Sequence, residues 1–494
     1  MSAPAQPNLL FIFTDEQRAD TLACYGNRGL QAPNLNRLAD QSFVVDRAYC
    51  TQPVCTPSRS SIMTGFYPHT TGCIENNVPL RPEHRTIAEQ VSNDYVCTYY
   101  GKWHLGSELV PQRGFSEFVG IEDGYRAHYA DPAETKRLSD YHHFLVANGF
   151  HPDSGPEVKG RSSGDSAGLS TFSRQTAAEM PEPFTKASFL GVRSADFIRT
   201  NTNRPWVHYV NFLEPHMPFD GPLNELHDPS DLGTGPAFLQ PPANDVSLIH
   251  QALAAYYGSA DWRGLDLHDE TAWRAIRRNY WGLVTLVDRA VGRILEAVES
   301  SGQADRTIVV FTSDHGDMMG DHNILAKCTL YEEAMRVPLL LRVPWLADEG
   351  RRLSGSMSLV DLVPTLLDLM GQGTPANSHG VSRTDVLRGE SDLSNNDVIV
   401  EWNGSHNSCV WPPEAPEAAQ RVEADPWRSI ISHEGWKLNA SATDQSELFD
   451  LNSDPYEMTN RFNDAEQQSR IVDLLDRIRT WQARVGDTVP LPTA

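Results

Sequence analysis

The stretch NLLFIFTDE, residues 8–16, is a short apolar run that ends in two acids, Asp15 and Glu16. Its length and its polar flank predict a buried β-strand with carboxylates at its carboxyl end. Ligands of parallel sheets bind beyond the carboxyl ends of the strands, so a repetition of this pattern predicts one functional site at one edge of a sheet. Three further runs end in ionisable clusters: Tyr95–Tyr100 before Lys102 and His104, Trp206–Leu213 before Glu214 and His216, and Thr307–Thr312 before Asp314 and His315.

Strand-like runs alternate with helix-like stretches along most of the chain, which predicts an α/β sandwich with a mostly parallel central sheet. Val337–Val343 is a fifth apolar run, and Asn279–Ser300 carries apolar side chains at helical spacing. Met370–Asn395 is rich in Gly, Ser and Asn and is interpreted as a connection. Beyond it we expect a small α+β subdomain with an antiparallel sheet, built from Val398–Trp402, Trp427–Ser432, Trp436–Ala440, Glu447–Leu451 and the helix Gln467–Val485.

These patterns predict a main domain over residues 1–389 and a C-terminal subdomain over residues 390–494. The segment from about residue 131 to 188 has weak periodicity and many Ser, Gly, His and Pro residues. We interpret it as an insertion over the face that carries the site, because loops of this kind often decide selectivity.

The chain has 494 residues, with 41 Lys and Arg against 65 Asp and Glu, and its formal net charge is −24. This charge argues against a nucleic-acid partner, which would need a basic face. No stretch approaches the roughly 18 apolar residues of a membrane span, and the N-terminus shows no secretory signal. We therefore expect no membrane partner and a cytoplasmic location. Seven cysteines without a CxxC pair indicate neither a zinc ribbon nor a redox dithiol.

Asp15, Glu16, Asp314 and His315 are candidate metal ligands, because clustered carboxylates repel one another unless a cation or a proton lies between them. The alternative is that each pair belongs to an ordinary turn with helix-capping acids. Oxygen ligands favour Ca²⁺, Mg²⁺ or Mn²⁺, whereas the imidazole favours Mn²⁺ or Zn²⁺. The residues alone leave the ion's identity open.

The stretch CTPSR, residues 55–59, places a cysteine before a helix-like segment and four residues before an arginine. A thiol at a helix N-terminus beside an arginine is expected to be activated, which makes Cys55 a candidate nucleophile. The alternative is a structural thiol, the commoner role of a single buried cysteine.

At these residues the sequence resembles the formylglycine-dependent sulfatases of the alkaline-phosphatase-like superfamily. CTPSR matches the family motif C-x-P-S-R, and further family blocks follow in the usual order along nearly the whole chain. They are SSIMTGFYPHTTG after CTPSR, GKWHLG at Gly101–Gly106, EPHMPF at Glu214–Phe219, SDHGDMMGDH at Ser313–His322, VDLVPTLLDLMG at Val360–Gly371 and ELFDLNSDPYE at Glu447–Glu457.

The resemblance implies that a separate formylglycine-generating enzyme oxidises Cys55 to formylglycine before the chain folds. One hydroxyl of the hydrated aldehyde would attack sulfur, and the second would let the sulfated diol collapse to aldehyde and free sulfate. Residue 55 would share one divalent ion with Asp15, Glu16, Asp314 and His315. Ca²⁺ is the first expectation for this ion and Mn²⁺ the alternative.

The resemblance also implies roles for residues that hold the nucleophile or the substrate. Arg59, Lys102 and Lys327 would hold the nucleophile or the sulfate oxygens, since preorganised cations stabilise developing charge. His104 would orient or deprotonate the diol, and His216 would face the leaving-group oxygen. Asn76 would contact the bound oxyanion, although Asn77 could take its place. Without the family blocks, each of these residues has an ordinary alternative role. Lys102 and Lys327 would be solvated surface lysines, His104 and His216 would be loop histidines, and Arg59 would form an ion pair at a helix terminus.

Many sulfatases carry Asp-Asp and Asp-Asn pairs at the metal, whereas this chain has Asp15-Glu16 and Asp314-His315. The Asp-His form also occurs in relatives that resemble choline-sulfatase and phosphonate monoester hydrolase. We expect hydrolysis of a small-molecule sulfate monoester, with phosphonate monoester or phosphodiester hydrolysis as the alternative and a non-catalytic binding protein as a third reading. A homo-oligomer is possible.

Several other residues are candidates for minor roles. Asp317, Asp321 and His322 are expected to order the loop beside the metal motif, and His142-His143 to lie at a surface or a rim because adjacent residues on a regular element diverge. Four tryptophans are expected to pack the small subdomain, with one of them able to stack on a substrate ring: Trp402, Trp411, Trp427 and Trp436.

Overall fold

The computed structural model describes residues 3–129, 136–153, 169–259, 261–262, 265–347, 349–375, 377–404 and 424–493. The strands within these ranges are β1 Asn8–Asp15, β2 Phe43–Tyr49, β3 Val96–Gly101, β4 Glu117–Val119, β5 Trp206–Pro215, β6 Asp261–Trp262, β7 Leu265–Asp266, β8 Thr307–Ser313, β9 Arg336–Val337, β10 Leu339–Arg342, β11 Arg351–Ser358, β12 Val398–Trp402, β13 Trp427–Ile431, β14 Trp436–Ala440 and β15 Glu447–Asp450. The helices are α1 Pro33–Ala39, α2 Cys55–Thr64, α3 Pro68–Thr71, α4 Arg126–Tyr129, α5 Asp140–Ala147, α6 Arg174–Ala178, α7 Lys186–Thr200, α8 Leu248–Ser259, α9 Glu270–Ser300, α10 Glu332–Met335, α11 Leu362–Leu369, α12 Thr384–Arg388 and α13 Gln468–Val485.

A nine-stranded sheet forms the centre of the molecule, in the order β11-β2-β10-β8-β1-β5-β3-β4, with β9 paired to β2. The neighbours of β1, which are β8 and β5, both run parallel to it, and together with β11·β2, β3·β4 and β3·β5 they make five of the eight strand pairs in the sheet parallel. The predicted mostly parallel sheet is therefore confirmed. The fifth apolar run, Val337–Val343, divides between β9 and β10, and β10 is antiparallel to β2 and β8. Its carboxyl end consequently lies at the opposite edge of the sheet from the ionisable clusters.

The apolar run that opens β1 explains why this strand is central. Leu9–Phe13 is entirely buried, and each such side chain contributes about 1.5–3 kcal/mol relative to an exposed one. The long helix α9 packs on β5 together with α7. It begins nine residues before the predicted start, and Asp269 caps it by accepting a hydrogen bond from Thr271 N. The buried Trp273 and Ile276 continue the apolar spacing of the helix into these first turns, so the predicted start was too late.

The second sheet, β12-β13-β14-β15, is antiparallel throughout, which confirms the predicted small C-terminal sheet. The helix α13 covers it, since Ile471, Leu475 and Ile478 belong to one apolar cluster with Ile430 and Leu438. Other side chains of the small sheet, such as those of Val400 and Phe449, pack into the core of the large sheet. The expected boundary near residue 390 remains a prediction.

Strands β2 and β11 were not expected from the sequence. β11 is mostly polar, and its first residues are exposed or partly exposed, because it forms an edge of the large sheet. Much of the expected insertion at residues 131–188, and Trp411, lie outside the described residues, whereas α5 and α6 fall within the insertion. Among the described residues, no helix is long and apolar enough to cross a membrane.

Glu447 on β15 joins the small sheet to the main body. Its Oε1 accepts a hydrogen bond from Ser247 N and lies 2.9 Å from His250 Nδ1 near the start of α8, while its Oε2 accepts one from Asn439 Nδ2. Burial alone would raise the pKa of Glu447, but His250 and the hydrogen bonds lower it to about 2. The carboxylate therefore stays ionised while it joins the small sheet to the start of α8.

We expect Glu447→Ala to lower the free energy of unfolding by about 3 kcal/mol at pH 7, because it leaves buried donors without an acceptor. The folded pKa lies below the unfolded value of about 4.3, so the stabilisation is present above that pH and is lost as the pH falls toward 2. Urea unfolding at several pH values should show the gap between wild type and variant shrinking across this range. Replacing the exposed Glu390 by Ala is the control, and an equal loss in both variants would contradict the bridge.

Candidate active site

The ends of two neighbouring parallel strands bring the two acidic pairs together. Thr14 of β1 is in register with Ser313 of β8, so the residues that follow each strand lie side by side. Glu16 N and His315 N both donate hydrogen bonds to Asp314 Oδ1, at 3.1 and 2.9 Å. The sequence therefore placed these pairs at one edge of the sheet correctly, although nearly three hundred residues separate them in the chain.

Cys55 is the first residue of α2 and is 1% exposed. Its Sγ lies 3.6 Å from Asp15 Oδ1 and 3.4 Å from His315 Nε2. Two ammonium groups approach it as well, Lys327 Nζ at 3.2 Å and Lys102 Nζ at 3.6 Å. The thiol is thus enclosed between the candidate metal ligands and two cations.

The expected activation of the Cys55 thiol is wrong for the unmodified side chain. Burial raises the pKa of Cys55, and the Asp15 carboxylate acts in the same direction, while Lys102 and Lys327 oppose them only in part. The position at the helix N-terminus does not overcome this desolvation. A thiol at residue 55 consequently stays protonated near neutral pH and is a poor nucleophile.

Arg59 lies fully buried beneath the site and holds both aspartates. Its Nε donates to Asp314 Oδ2 at 2.9 Å, and a terminal nitrogen donates to Asp15 Oδ2 at 2.8 Å. The other terminal nitrogen donates to Lys102 O and to Asn211 Oδ1. One guanidinium group therefore fixes three strand ends at once, which a helix-terminal ion pair at the surface would not do.

Lys102 and Lys327 are buried cations, not solvated surface lysines. Lys102 Nζ donates to Asp15 Oδ2, and Lys327 Nζ lies 3.3 Å from Glu16 Oε2. Burial alone would raise the pKa of Asp15, but Lys102 and the cations around it hold that pKa well below its usual value. Asp15 is consequently ionised. Lys102 follows Gly101, where a Cβ would lie 1.9 Å from Asn211 O, so only glycine permits β3 and β5 to approach this closely.

The side chains form two overlapping sets of ligands that share Asp15. Asp15, Cys55, Asp314 and His315 offer ligand atoms within 4.8 Å of one another, and so do Asp15, Glu16 and His216. His315 Nδ1 lies 2.9 Å from Gly316 O, which directs Nε2 toward the cluster.

Glu16 supports a cation at this place. Among the described residues, neither oxygen of its buried carboxyl group accepts a hydrogen bond, although Lys327 Nζ and His216 Nε2 lie 3.3 and 3.4 Å from Oε2. Burial raises the pKa of Glu16 to about 8. Burial likewise raises the pKa of the neighbouring Asp317 to about 6. Buried carboxylates in this state need a proton or a cation, and the oxygen-rich donor set fits one divalent ion.

The histidines and asparagines surround the nucleophile position. His216 Nε2 lies 3.4 Å from Glu16 Oε2, and its Nδ1 lies 2.7 Å from Met217 O. His104 has a φ of 59° and its Nε2 lies 2.9 Å from Asn77 Oδ1. Asn76 Oδ1 instead accepts a hydrogen bond from Thr56 N, beside residue 55. Asn76 therefore contacts the start of α2, whereas Asn77 contacts His104.

Comparison with known proteins agrees with this geometry. A family model described as Sulfatase matches residues 7–372, which is more than half of the chain. The chain belongs to the sulfatase family. A second model, described as N-sulphoglucosamine sulphohydrolase, C-terminal, matches residues 320–484. This sulfatase family lies within the alkaline-phosphatase-like superfamily, and membership makes the chain an enzyme, a sulfuric-ester hydrolase.

Relatives and solved structures match this sulfatase along nearly its full length. An arylsulfatase of Clostridium perfringens is 28% identical, over 96% of this chain and 93% of its own length. The choline-sulfatase of Rhizobium meliloti is 27% identical, over 92% of this chain and 82% of its own length. The phosphonate monoester hydrolase structure from Silicibacter pomeroyi superposes with a TM-score of 0.79 at 24% identity, covering 97% of this chain and 96% of that one, and shows the same fold.

Sequence reasoning missed four residues at the site of this sulfatase. Asn211 had a visible signal, because it is a polar residue inside the apolar run of β5. Glu108 accepts hydrogen bonds from Trp103 N and His104 N, and no pattern in the sequence indicates this. The other two are Tyr125, which lies just before α4, and Arg174, which begins α6 within the expected insertion.

The minor candidates lie around the sulfatase site or away from it. Asp317 Oδ1 accepts hydrogen bonds from Met319 N and Ala326 N and orders the loop. Asp321 pairs with two arginines and His322 stacks on a tyrosine ring. His143 is exposed on α5 as expected, whereas His142 is buried, so the expected position at a surface or a rim is wrong for His142. Among the tryptophans, Trp402 and Trp427 are buried in the core, and Trp436 is partly buried beneath Arg470.

Arg59→Ala should lower the free energy of unfolding by about 3–5 kcal/mol, because two buried carboxylates lose their shared cation. Arg59→Lys keeps a charge but loses the planar fork, so it should restore only part of the stability. Urea unfolding in the presence of EDTA measures both. Arg37→Ala is the control, since its side chain is 46% exposed and its ion pair with Glu299 contributes less than about 1 kcal/mol. A similarly small effect at Arg59 would contradict the bridging role.

Proposed function

We propose that this chain hydrolyses a sulfate monoester to an alcohol and inorganic sulfate, with residue 55 acting as formylglycine. The observation that carries the proposal is the surroundings of Cys55: two lysine ammonium groups lie within 3.6 Å of its Sγ, beside a buried set of metal ligands. Cations that face a nucleophile suit an anionic ester, and the net charge of −24 would otherwise repel it.

The state of the thiol supports its oxidation. A protonated, buried thiol attacks slowly, and a sulfated thiol would lack a second hydroxyl to drive its breakdown. A hydrated aldehyde supplies both an oxygen nucleophile and that second hydroxyl. Because residue 55 is buried in the folded chain, a formylglycine-generating enzyme would have to act before folding.

A divalent ion would be held by residue 55 with Asp15, Glu16, Asp314 and His315, with Ca²⁺ as the first expectation and Mn²⁺ as the alternative. Such an ion, when bound, supplies Lewis-acid activation of an oxygen nucleophile. Arg59 pairs with both Asp15 and Asp314 and fixes them in place for this purpose.

The chain's own cations and histidines would perform the remaining steps. Lys102 and Lys327 are placed to stabilise the charge that develops on the sulfate oxygens, where one preorganised donor contributes on the order of 3–4 kcal/mol. His216, oriented through Met217 O, would donate a proton or a hydrogen bond to the leaving alcohol oxygen. His104 would orient the attacking hydroxyl or take its proton, and Asn76 would contact the bound oxyanion.

The same cations suit other tetrahedral anions, so phosphonate monoester or phosphodiester hydrolysis is the second candidate function. The Asp314-His315 pair favours it, because this pair replaces the Asp-Asn of many sulfatases. The proposed catalytic domain at residues 1–389, the homo-oligomer and the cytoplasmic location remain predictions.

An aryl sulfate, an aryl phosphonate monoester and an aryl phosphodiester with one leaving group separate these functions. We expect the highest kcat/KM for the sulfate. Cys55→Ala should lose about 1,000-fold or more in kcat while keeping its melting temperature, whereas Cys24→Ala serves as the active control. Mass spectrometry of the peptide containing residue 55 should show the aldehyde. Phosphonate or phosphodiester turnover faster by orders of magnitude would replace the proposed substrate, and an active chain with an intact thiol would overturn the proposed nucleophile.

Asp314→Asn should lose bound metal and activity together, because it removes one ligand and the Arg59 partner. Metal analysis of the purified protein is expected to fall from about one ion per chain in wild type to a small fraction of that in the variant. Asp305→Asn, at an exposed position, is the control. Retention of metal at the wild-type level would remove Asp314 from the ligand set.

A further inference from the structure

Arg174 is the first residue of α6 and lies beside the proposed sulfate site. Within the part of the chain that the structure describes, it contacts none of the candidate metal ligands. Its guanidinium carbon is 4.7 Å from the centre of the Tyr125 ring. The same ring lies 4.8 Å from Lys102 Nζ and 4.0 Å from the His104 ring. Tyr125 therefore connects Arg174 directly to the surroundings of residue 55.

The position of α6 is fixed by hydrogen bonds on two sides. Ser173 caps the helix and donates through its N and Oγ to the carboxylate of Asp153. Gln175 Nε2 donates to Asp220 Oδ2 at 2.8 Å, in the loop that follows His216.

The charges around Arg174 leave an excess of positive charge. Glu122 is buried and pairs with two cations, Lys186 in close contact and Arg174 at 3.3 Å. Burial would raise the pKa of Glu122, but these two cations lower it, so one carboxylate is shared between them. The side chain of Lys186 is 8% exposed, whereas that of Arg174 is 35% exposed.

The other acids nearby are engaged elsewhere. Asp123, Asp153 and Asp220 accept hydrogen bonds from Ser139, Ser173 and Gln175, whereas Arg174 pairs with Glu122. A guanidinium group has five N–H donors in a planar fork that matches a carboxylate or a sulfate. Such a group, about a third exposed and next to the proposed catalytic centre, is suited to an anion brought by the substrate.

We propose that Arg174 and Tyr125 bind an acidic group, a carboxylate or a second sulfate, on the alcohol half of the substrate. The inference rests on the proposed function, because it defines the substrate class of the same site. Arg174 would pair with the acidic group while the Tyr125 ring packs against the carbon skeleton between that group and the ester.

The test uses an aryl sulfate that carries a ring carboxylate and the methyl ester of the same compound. We expect wild type to have the higher kcat/KM for the carboxylate. In Arg174→Ala the ratio of the two kcat/KM values should fall about 10- to 100-fold, the loss of one charged hydrogen-bonded contact, with methyl ester turnover nearly unchanged. Arg174→Lys should show an intermediate ratio, and Arg199→Ala, on the exposed face of α7, should match wild type.

If Arg174 has only a structural role, Arg174→Ala should lower the kcat/KM values for the carboxylate and for the methyl ester together and leave their ratio unchanged. That result would overturn the proposal. A higher kcat/KM of wild type for the methyl ester would overturn it as well. If wild type hydrolyses neither ester, the proposed function fails separately. Calorimetry with the carboxylate-bearing phenol and its methyl ester then tests the anion site by itself. It should show about 10-fold tighter binding of the carboxylate to wild type and none of that advantage in Arg174→Ala, and equal binding would again overturn the proposal.

Discussion

The contact of one buried guanidinium group with two carboxylates supports the rest of the site. Asp15 and Asp314 end adjacent parallel strands, so their negative charges are forced together below the surface. Arg59 neutralises them from beneath while leaving their other oxygens directed at Cys55 and His315. Without this partner, two buried carboxylates would lose the cation that they share, which destabilises the folded chain. The fold and the chemistry therefore depend on the same ion pairs.

The same burial explains why the proposed nucleophile requires modification. Excluding water strengthens the action of Lys102 and Lys327 on a bound anion, because charges interact more strongly at low dielectric. It also penalises a thiolate at residue 55, and the raised pKa of Cys55 shows which effect prevails. A diol needs no stable negative charge before it reacts. Burial of the site therefore has two consequences: it strengthens the action of the lysines on a bound anion, and it makes an oxidised side chain a better nucleophile than a thiol.

The sequence predicted the parts of the molecule that repeat a simple pattern. Apolar runs that end in ionisable residues gave β1, β3, β5 and β8 and placed Asp15 near Asp314. Edge strand β11 was not predicted, because its many polar residues obscure the apolar alternation that is typical of a strand. The predicted activation of the Cys55 thiol was wrong, because a local motif does not show whether its residues are buried. Arg174 could not be found, since it acts through a contact with Tyr125, which lies in a separate segment of the chain. Glu108 accepts hydrogen bonds from backbone groups only four and five residues before it, in a loop that carries no periodic pattern.

Chemistry and substrate selection occupy different layers of this structure. Strand ends in a buried sheet hold the charged groups in place, which suits a reaction common to all sulfate esters. Tyr125 and Arg174 lie off the sheet, and the short helix that carries Arg174 is held by Asp153 and Asp220. Such segments can change without disturbing β1 or β8. Selection of the alcohol by Arg174 would therefore be separable from turnover itself, which follows from where the two sets of residues are anchored.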